Sequence, residues 1–468
     1  MAKMKSSKQI TTKKILDELR FHDYISRSKE NKRVLSACRK VLNTQASKTY
    51  NQAKEREQTL DFIQALWGKF DCEQVAEKFD NFVKIEQALY GLERDKEKGG
   101  RYRDHFVHMF NTFIFGLRII SNLFGKVNED EGKELFKVEN EDLVSVGLPF
   151  SSNYNYKQRT FYLWMLISTF HDIAIPFQHM PKIGEGITRF VEEFGWVVSE
   201  PILTMSNFDS SQLYYYFTML SEIYNSKLKL AEDGNRYERD LVNISKSYVA
   251  KTLGRAFDRR EHGALSGFFM LKTIEEIFLL GLSKRYRDKI GLKNFDIYDE
   301  YVLQQDIARA ALAISLHTLT KKKETGHPEI VPIKFDEYPL TFLLILSDEL
   351  QEYHRHEGGT ILGNTKFRCQ PKISLSYKKK NIDLNVAFSL NKKEEKYFIE
   401  EANAIESKKH NGKKINDVEK AAKVIMGSIC DNLVEKIILN EKFKLEIKLC
   451  KSTGDTIFEQ VINTKTKD

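Results

Sequence analysis

Apolar residues recur at helical spacing through the first 95 residues, with charged outer faces, as in ILDELRFHDYI and LDFIQALWGKF. No proline occurs before Pro149, so nothing in this stretch interrupts a helix by that route. NTQASKTYNQAKEREQ is polar nearly all round and predicts a helix that is exposed or pairs with a partner. The pair Gly99-Gly100 breaks the pattern and marks a boundary. From about residue 101 to 365, long apolar helical stretches alternate with polar loops, and period-2 patterns are nearly absent. Pro176 and Pro181 are expected to stop the helix that carries STFHDIAIPF, and Pro328, Pro332 and Pro339 to frame a later loop. Beyond about 366 the texture changes. KISLSYKKKNIDLNVAFSL reads as a hairpin turning at KKKN, INDVEKAAKVIMGSICDNLVEKII as a helix, and FKLEIKLCKSTGDTIFEQVI as two strands around TGD. The expected architecture is mainly α: an N-terminal basic helical region over 1–98, an all-helical domain over 99–365, and a small α+β domain over 366–468.

Composition narrows the class. A hydrophobic share of 41% with 12% aromatic is that of a globular chain. The net charge of +8 is unevenly spread. Residues 1–60 hold 15 Lys and Arg against 6 Asp and Glu, and residues 366–468 hold 22 against 15, which leaves the middle acidic. An acidic centre suits a cation. Basic ends suit an anionic partner such as a nucleotide, nucleic acid or acidic protein, or simply keep the chain soluble. The exposed N-terminal helices also hint at self-association. Five cysteines without a CxxC pair argue against a disulfide framework and an all-cysteine zinc site. MAKMKSSKQITTKK has no apolar core of a signal peptide, and no stretch reaches the roughly 18 uncharged residues of a membrane span. A cytoplasmic protein is expected.

Six metal-ligand residue types follow one another in the acidic middle. They are His108 in RDHFVHMF, His171-Asp172 in STFHDIAIPF, His262 in REHGALSG, His317 in AISLHTL and Asp348 in LILSDELQ. Most lie in apolar runs, where an unpaired polar side chain is costly. An adjacent His and Asp can serve two cations, the imidazole holding one and the carboxylate reaching the other. Imidazole and carboxylate together suit Mn, Fe, Co, Ni or Zn better than Mg. Two such cations activate water and neutralise phosphoryl oxygens.

The order H…HD…H…H…D resembles the HD-domain superfamily of metal-dependent phosphohydrolases in its six-ligand, two-metal form, over about residues 101–365. The wording around the ligands also resembles a bacterial branch of HD proteins found in conflict and antiviral defence. The resemblance implies that Asp172 bridges two metals, that His108, His171 and Asp348 complete one site, and that His262 and His317 complete the other. At about 100° per residue, His105 and His108 lie about 60° apart on one helical face. In related cyclic-nucleotide phosphodiesterases a His one turn before the ligand acts as general acid, which makes His105 the candidate acid here, at a spacing of three instead of four. His179 in PFQHM resembles a catalytic His of deoxynucleotide triphosphohydrolases of the same superfamily.

Anion-binding candidates surround these residues. Arg101 and Arg103, and Arg255, Arg259 and Arg260 before His262, could clamp phosphate, or form a solvated basic face. Lys321, Lys322 and Lys323 could steer an anionic substrate. Small residues after His262 (Gly263, Ala264, Ser266) either let that helix pack closely or admit a ligand. His22, His327, His354, His356 and His410 have no partner spacing and read as surface residues. The function implied by the resemblance is hydrolysis of a phosphodiester or phosphoanhydride bond of a nucleotide by two-metal-activated water. The alternatives are a dNTP triphosphohydrolase, or an inactive HD scaffold that senses a nucleotide or binds nucleic acid or a protein. No P-loop or dinucleotide fingerprint occurs.

Overall fold

The computed structural model describes residues 10–25, 28–47, 51–67, 73–92, 105–136, 156–178, 253–254, 256, 261–282, 300–318, 333–351, 370–407, 414–439, 442–451 and 453–462. These are mainly helical, with a small sheet near the C-terminus.

The N-terminal part folds as α1 (Thr12–Leu19), α2 (Ser28–Gln45), α3 (Gln52–Trp67) and α4 (Glu73–Leu92). Thr11 caps α1 by accepting from Lys14 N, one of the donors a helix start leaves without a partner. The polar stretch expected to form one helix, exposed or paired with a partner, is instead divided between two helices that meet at a corner. α2 stops at Gln45 and α3 starts at Gln52, with Asn51 accepting from Lys54 N. The corner turns polar side chains inward. Gln45 Nε2 donates to Glu55 Oε1 at 2.7 Å and to Asn111 Oδ1 at 2.9 Å, and Glu55 is fully buried. Hydrophobic periodicity cannot register polar groups that satisfy one another.

α5 (His105–Phe124) is the central helix. Its length and composition would allow it to cross a membrane, yet 94% of the relevant window is buried inside the protein. The N-terminal helices pack aromatic rings around it. Phe21 stacks over Phe113, Phe62 meets Phe110 edge-on, and Tyr24 stacks on Phe161. After α6 (Glu129–Phe136), α7 (Tyr156–Phe170) crosses α5 closely because residue 116 is glycine. A Cβ there would fall 1.9 Å from the ring of Trp164, whose Nε1 donates to Phe113 O. α8 (His262–Leu282), α9 (Glu300–Leu316) and α10 (Pro339–Leu350) complete this part. Arg159 on α7 makes a buried two-pronged ion pair with Asp306 on α9, at 2.7 and 2.9 Å.

The C-terminal part is a four-stranded sheet in the order β2-β3-β5-β6. β2 (Lys372–Lys378) and β3 (Asn381–Ser389) form the expected hairpin. Its two-residue turn, Lys379–Lys380, has positive φ at both positions, the geometry that matches strand twist. β3 runs parallel to β5 (Phe443–Cys450), which pairs antiparallel with β6 (Thr456–Ile462). A parallel pair needs a long crossover, supplied by α11 (Lys392–Ser407) and α12 (Val418–Lys436). α11 opens on a reciprocal cap between Asn391 and Glu394. Two-residue strands β1 (Ile333–Lys334) and β4 (Ile437–Ile438) pair across to the helical part. Arg118 on α5 is fully buried and donates to Glu18, Gln370 and Pro371, joining α1, α5 and the approach to β2. Cys38, Cys430 and Cys450 are free and buried.

Candidate metal centre

The six ligand-type residues meet, and most do so at helix ends. His108 lies in the first turn of α5 and His262 opens α8. His171-Asp172 directly follows α7, His317 directly follows α9, and Asp348 lies in the last turn of α10. The doublet was expected inside a helix stopped by Pro176. Instead α7 ends at Phe170, residues 171–174 form a turn, and Pro176 belongs to the helical turn 175–178. Early in a helical turn, proline's missing N–H costs nothing.

The helix ends explain the orientation of the rings. A helix C-terminus leaves carbonyls without partners. His171 Nδ1 donates to Ser168 O at 2.9 Å, and His317 Nδ1 donates to Ile314 O at 2.5 Å, each reaching three residues back. A carbonyl only accepts, so both rings carry their proton on Nδ1 and present the lone pair of Nε2 inward. Gln178 Oε1 accepts from His262 Nδ1 at 3.0 Å, with the same consequence. The Gln351 amide lies against His108 Nδ1.

Asp172 sits among the four rings. Its Oδ2 is 3.5 Å from both His108 Nε2 and His171 Nε2, and its Oδ1 is 3.4 Å from His262 Nε2 and 3.8 Å from His317 Nε2. Asp348 Oδ1 approaches His108 Nε2 at 2.8 Å. The ligand atoms of His108, His171 and Asp348 lie within 4.8 Å of one another, as do those of Asp172, His262 and His317. Each triad could hold a metal ion. The buried Nε2 atoms of His171 and His317 have no hydrogen-bond partner, and their lone pairs face carboxylate oxygens. Separations of 3.4–3.8 Å are long for hydrogen bonds but suit two atoms that both bind one cation at roughly 2.1 Å.

Burial pushes the His171 pKa down to about 4 and that of His262 down to about 3, against the pull of Asp172, so both rings are neutral near pH 7. For Asp172 burial works to raise the pKa, but the surrounding imidazoles, His171 first, outweigh it and hold the carboxyl well below the usual range. Asp348 is likewise lowered, burial being outweighed by the His108 imidazole, whose Nε2 lies 2.8 Å from Asp348 Oδ1. Neutral imidazoles and ionised carboxylates are the protonation states that bind metal.

His105 stands at the start of α5 beside this cluster. Buried Glu86 on α4 accepts from His105 N at 2.8 Å and contacts its Nδ1 at 3.2 Å. Glu86 thus caps α5 and fixes the ring. The remaining predicted site residues, His179, Arg101, Arg103, Arg255, Arg259 and Arg260, and also Lys321, Lys322 and Lys323, lie outside the described residues. Gly263 serves packing: a Cβ there would lie 2.4 Å from Thr318 Oγ1 and 3.0 Å from Ile314 O. Ser266 accepts from Ala174 N, and Ala264 is buried. His22 is 70% exposed, as expected of a surface histidine. Glu86, Gln178 and Gln351 escaped the sequence analysis. The two glutamines stand beside quoted ligand segments, in PFQHM and SDELQ, whereas Glu86 carries no local signal. No family model, curated protein or solved structure matches this chain.

Proposed function

We propose that this chain is a metal-dependent phosphohydrolase that cleaves a phosphodiester or phosphoanhydride bond of a nucleotide, in line with its resemblance to the HD superfamily. One observation carries the reading: the two oxygens of Asp172 face two separate pairs of imidazoles, with Oδ2 toward His108 and His171 and Oδ1 toward His262 and His317. A carboxylate so placed suits a ligand shared between two cations. His108, His171 and Asp348 would complete one position, and His262 and His317 the other. Mixed imidazole and carboxylate donors favour Mn, Fe, Co, Ni or Zn over Mg. Such a pair of cations, when bound, activates water for attack on phosphorus and offsets charge on the phosphoryl oxygens.

The chain's own residues supply the rest. Backbone carbonyls hold His171 and His317, and the Gln178 amide oxygen holds His262, in the binding tautomer, while the Gln351 amide lies against His108 Nδ1. His105, held at Nδ1 by Glu86, is our candidate to deliver a proton to the leaving oxygen. Asp348, with 20% of its side chain exposed, and His262, with 24%, mark the edge by which a substrate reaches the cluster.

The test is product analysis on a panel of cyclic, linear and triphosphate nucleotides with Mn or Co added. A linear mononucleotide released from a cyclic one supports phosphodiesterase action, and tripolyphosphate from a dNTP supports the triphosphohydrolase alternative. Salt-sensitive binding of nucleic acid with no turnover of any panel member would sink the enzyme reading in favour of a binding scaffold.

A further inference from the structure

We propose that Gln178 and Gln351 are the positioning residues of the centre, one for each triad, and that Gln178 governs how readily the cation of the Asp172–His262–His317 triad enters and leaves. The inference rests on the metal-centre part of the reading above and is independent of substrate.

The two triads are built alike. Each has one carboxylate, one imidazole held by a helix-end carbonyl, and one imidazole held by a glutamine amide. His171 and His317 are of the first kind, and His108 and His262 of the second. A backbone carbonyl at a packed helix end leaves its imidazole one orientation. A glutamine is a separate element that must itself be held.

Gln351 is held well. It is fully buried, its N–H donates to Ser347 O at 3.0 Å, and its amide lies against His108 Nδ1. Gln351 Oε1 is buried without a partner. Turned over, the amide gives Oε1 the donor it lacks, Nδ1–H, and leaves the His108 Nε2 lone pair for a cation.

Gln178 differs. It is exposed, in the helical turn directly after the doublet. The ring it holds, His262, is 24% exposed, against 0–2% for the other three imidazoles. This side of the cluster therefore meets solvent, and a single amide hydrogen bond keeps the ring aligned there. Loss of such an outer partner typically weakens metal binding by roughly 10–100-fold.

The experiment titrates the metal-stripped full-length chain with Co(II), followed by visible absorption, then measures Co(II) release into excess chelator. The parent chain should take two equivalents. Gln178→Leu should weaken one equivalent by roughly 10–100-fold, speed its release, and leave the other unchanged. Gln178→Glu keeps an acceptor oxygen and should restore both affinity and release rate, which a mere packing role would not require. Gln351→Glu should likewise keep both equivalents, and Gln351→Leu should weaken the other one. Position 178 is exposed, so its two variants decide the matter even where a change at buried Gln351 impairs folding. Unchanged Co(II) binding by Gln178→Leu, or a Glu variant no better than Leu, would overturn the proposal. If the parent chain binds no Co(II), the inference falls together with the centre. Two equivalents bound with no nucleotide hydrolysed would sink the proposed activity alone.

Discussion

α7 and α9 carry two buried polar clusters, and the two are solved in opposite ways. Within the helices, Arg159 and Asp306 are 4% and 2% exposed, and the guanidinium fork meets both carboxylate oxygens. Just past the last residues of the same helices, His171, Asp172 and His317 are as deeply buried. There, acceptors face acceptors: the lone pairs of two imidazoles look at a carboxylate. Both clusters bear the cost of leaving water. The first offsets it inside the chain. The second has the donors turned outward, to helix-end carbonyls, and its inward ligand atoms could hold positive charge supplied from outside.

The largest expected effect breaks the second cluster. Asp172→Asn should abolish loading of both cations, a loss beyond the roughly 10–100-fold that follows removal of an outer partner. In the metal-stripped chain the same change should leave the melting temperature unchanged or raise it, because an amide NH₂ can donate to the Nε2 lone pairs. Elemental analysis and a thermal melt read both arms. Retention of two metals would refute the shared role of Asp172.

Breaking the first cluster should do the reverse. Arg159→Met removes the guanidinium fork from buried Asp306 and should cost up to about 3–5 kcal/mol of stability. Adding Asp306→Leu should recover most of that, since an apolar pair of similar volume is often as good as the ion pair. Urea unfolding of the single and double variants decides. A single variant as stable as the parent chain would erase the contrast.

Acid should find the second cluster first. His171 is held down to about pKa 4 by burial, against an ordinary histidine value of 6.5. Between those values the unfolded chain binds the proton and the folded chain does not, so stability falls as pH falls through that window. His262, lowered to about 3, acts in the same direction. Below about pH 4 the lowered carboxylates Asp172 and Asp348 add to the loss. The His171 shift corresponds to about 3 kcal/mol. Denaturant midpoints of the stripped protein between pH 7 and 4 would show the decline, and a flat profile would contradict neutral buried imidazoles.

The ligand residues are legible in the sequence because they are out of place. A histidine in AISLHTL or an aspartate in LILSDELQ has to justify its burial. Mainly helical folding and the C-terminal hairpin follow from periodicity alone. Helix ends do not, and here the site is made of helix ends. STFHDIAIPF stays apolar past Phe170, so hydrophobic spacing runs the helix through His171 although the structure stops it one residue earlier. The residues that orient the rings are harder still. Glu86, Gln178 and Gln351 are ordinary polar residues whose partners lie 19, 84 and 243 positions away. The corner between α2 and α3 is illegible for the same reason, since Gln45 finds Asn111 only in three dimensions.

The smallest expected effect falls on a single triad. Gly263→Ala places a Cβ 2.4 Å from Thr318 Oγ1 and 3.0 Å from Ile314 O. The threonine can rotate away. The carbonyl cannot, and it is the oxygen that holds His317 Nδ1. α8 must then retreat from the end of α9, moving His262 away from His317 within their shared triad. Overpacking of this kind costs about 1–3 kcal/mol, and alanine's better helix propensity returns up to about 1 kcal/mol. Net destabilisation should be small, while one equivalent of Co(II) binds more weakly and the His108–His171–Asp348 equivalent is untouched. Equal weakening of both equivalents would mean that the two triads share one support and do not bind their cations separately.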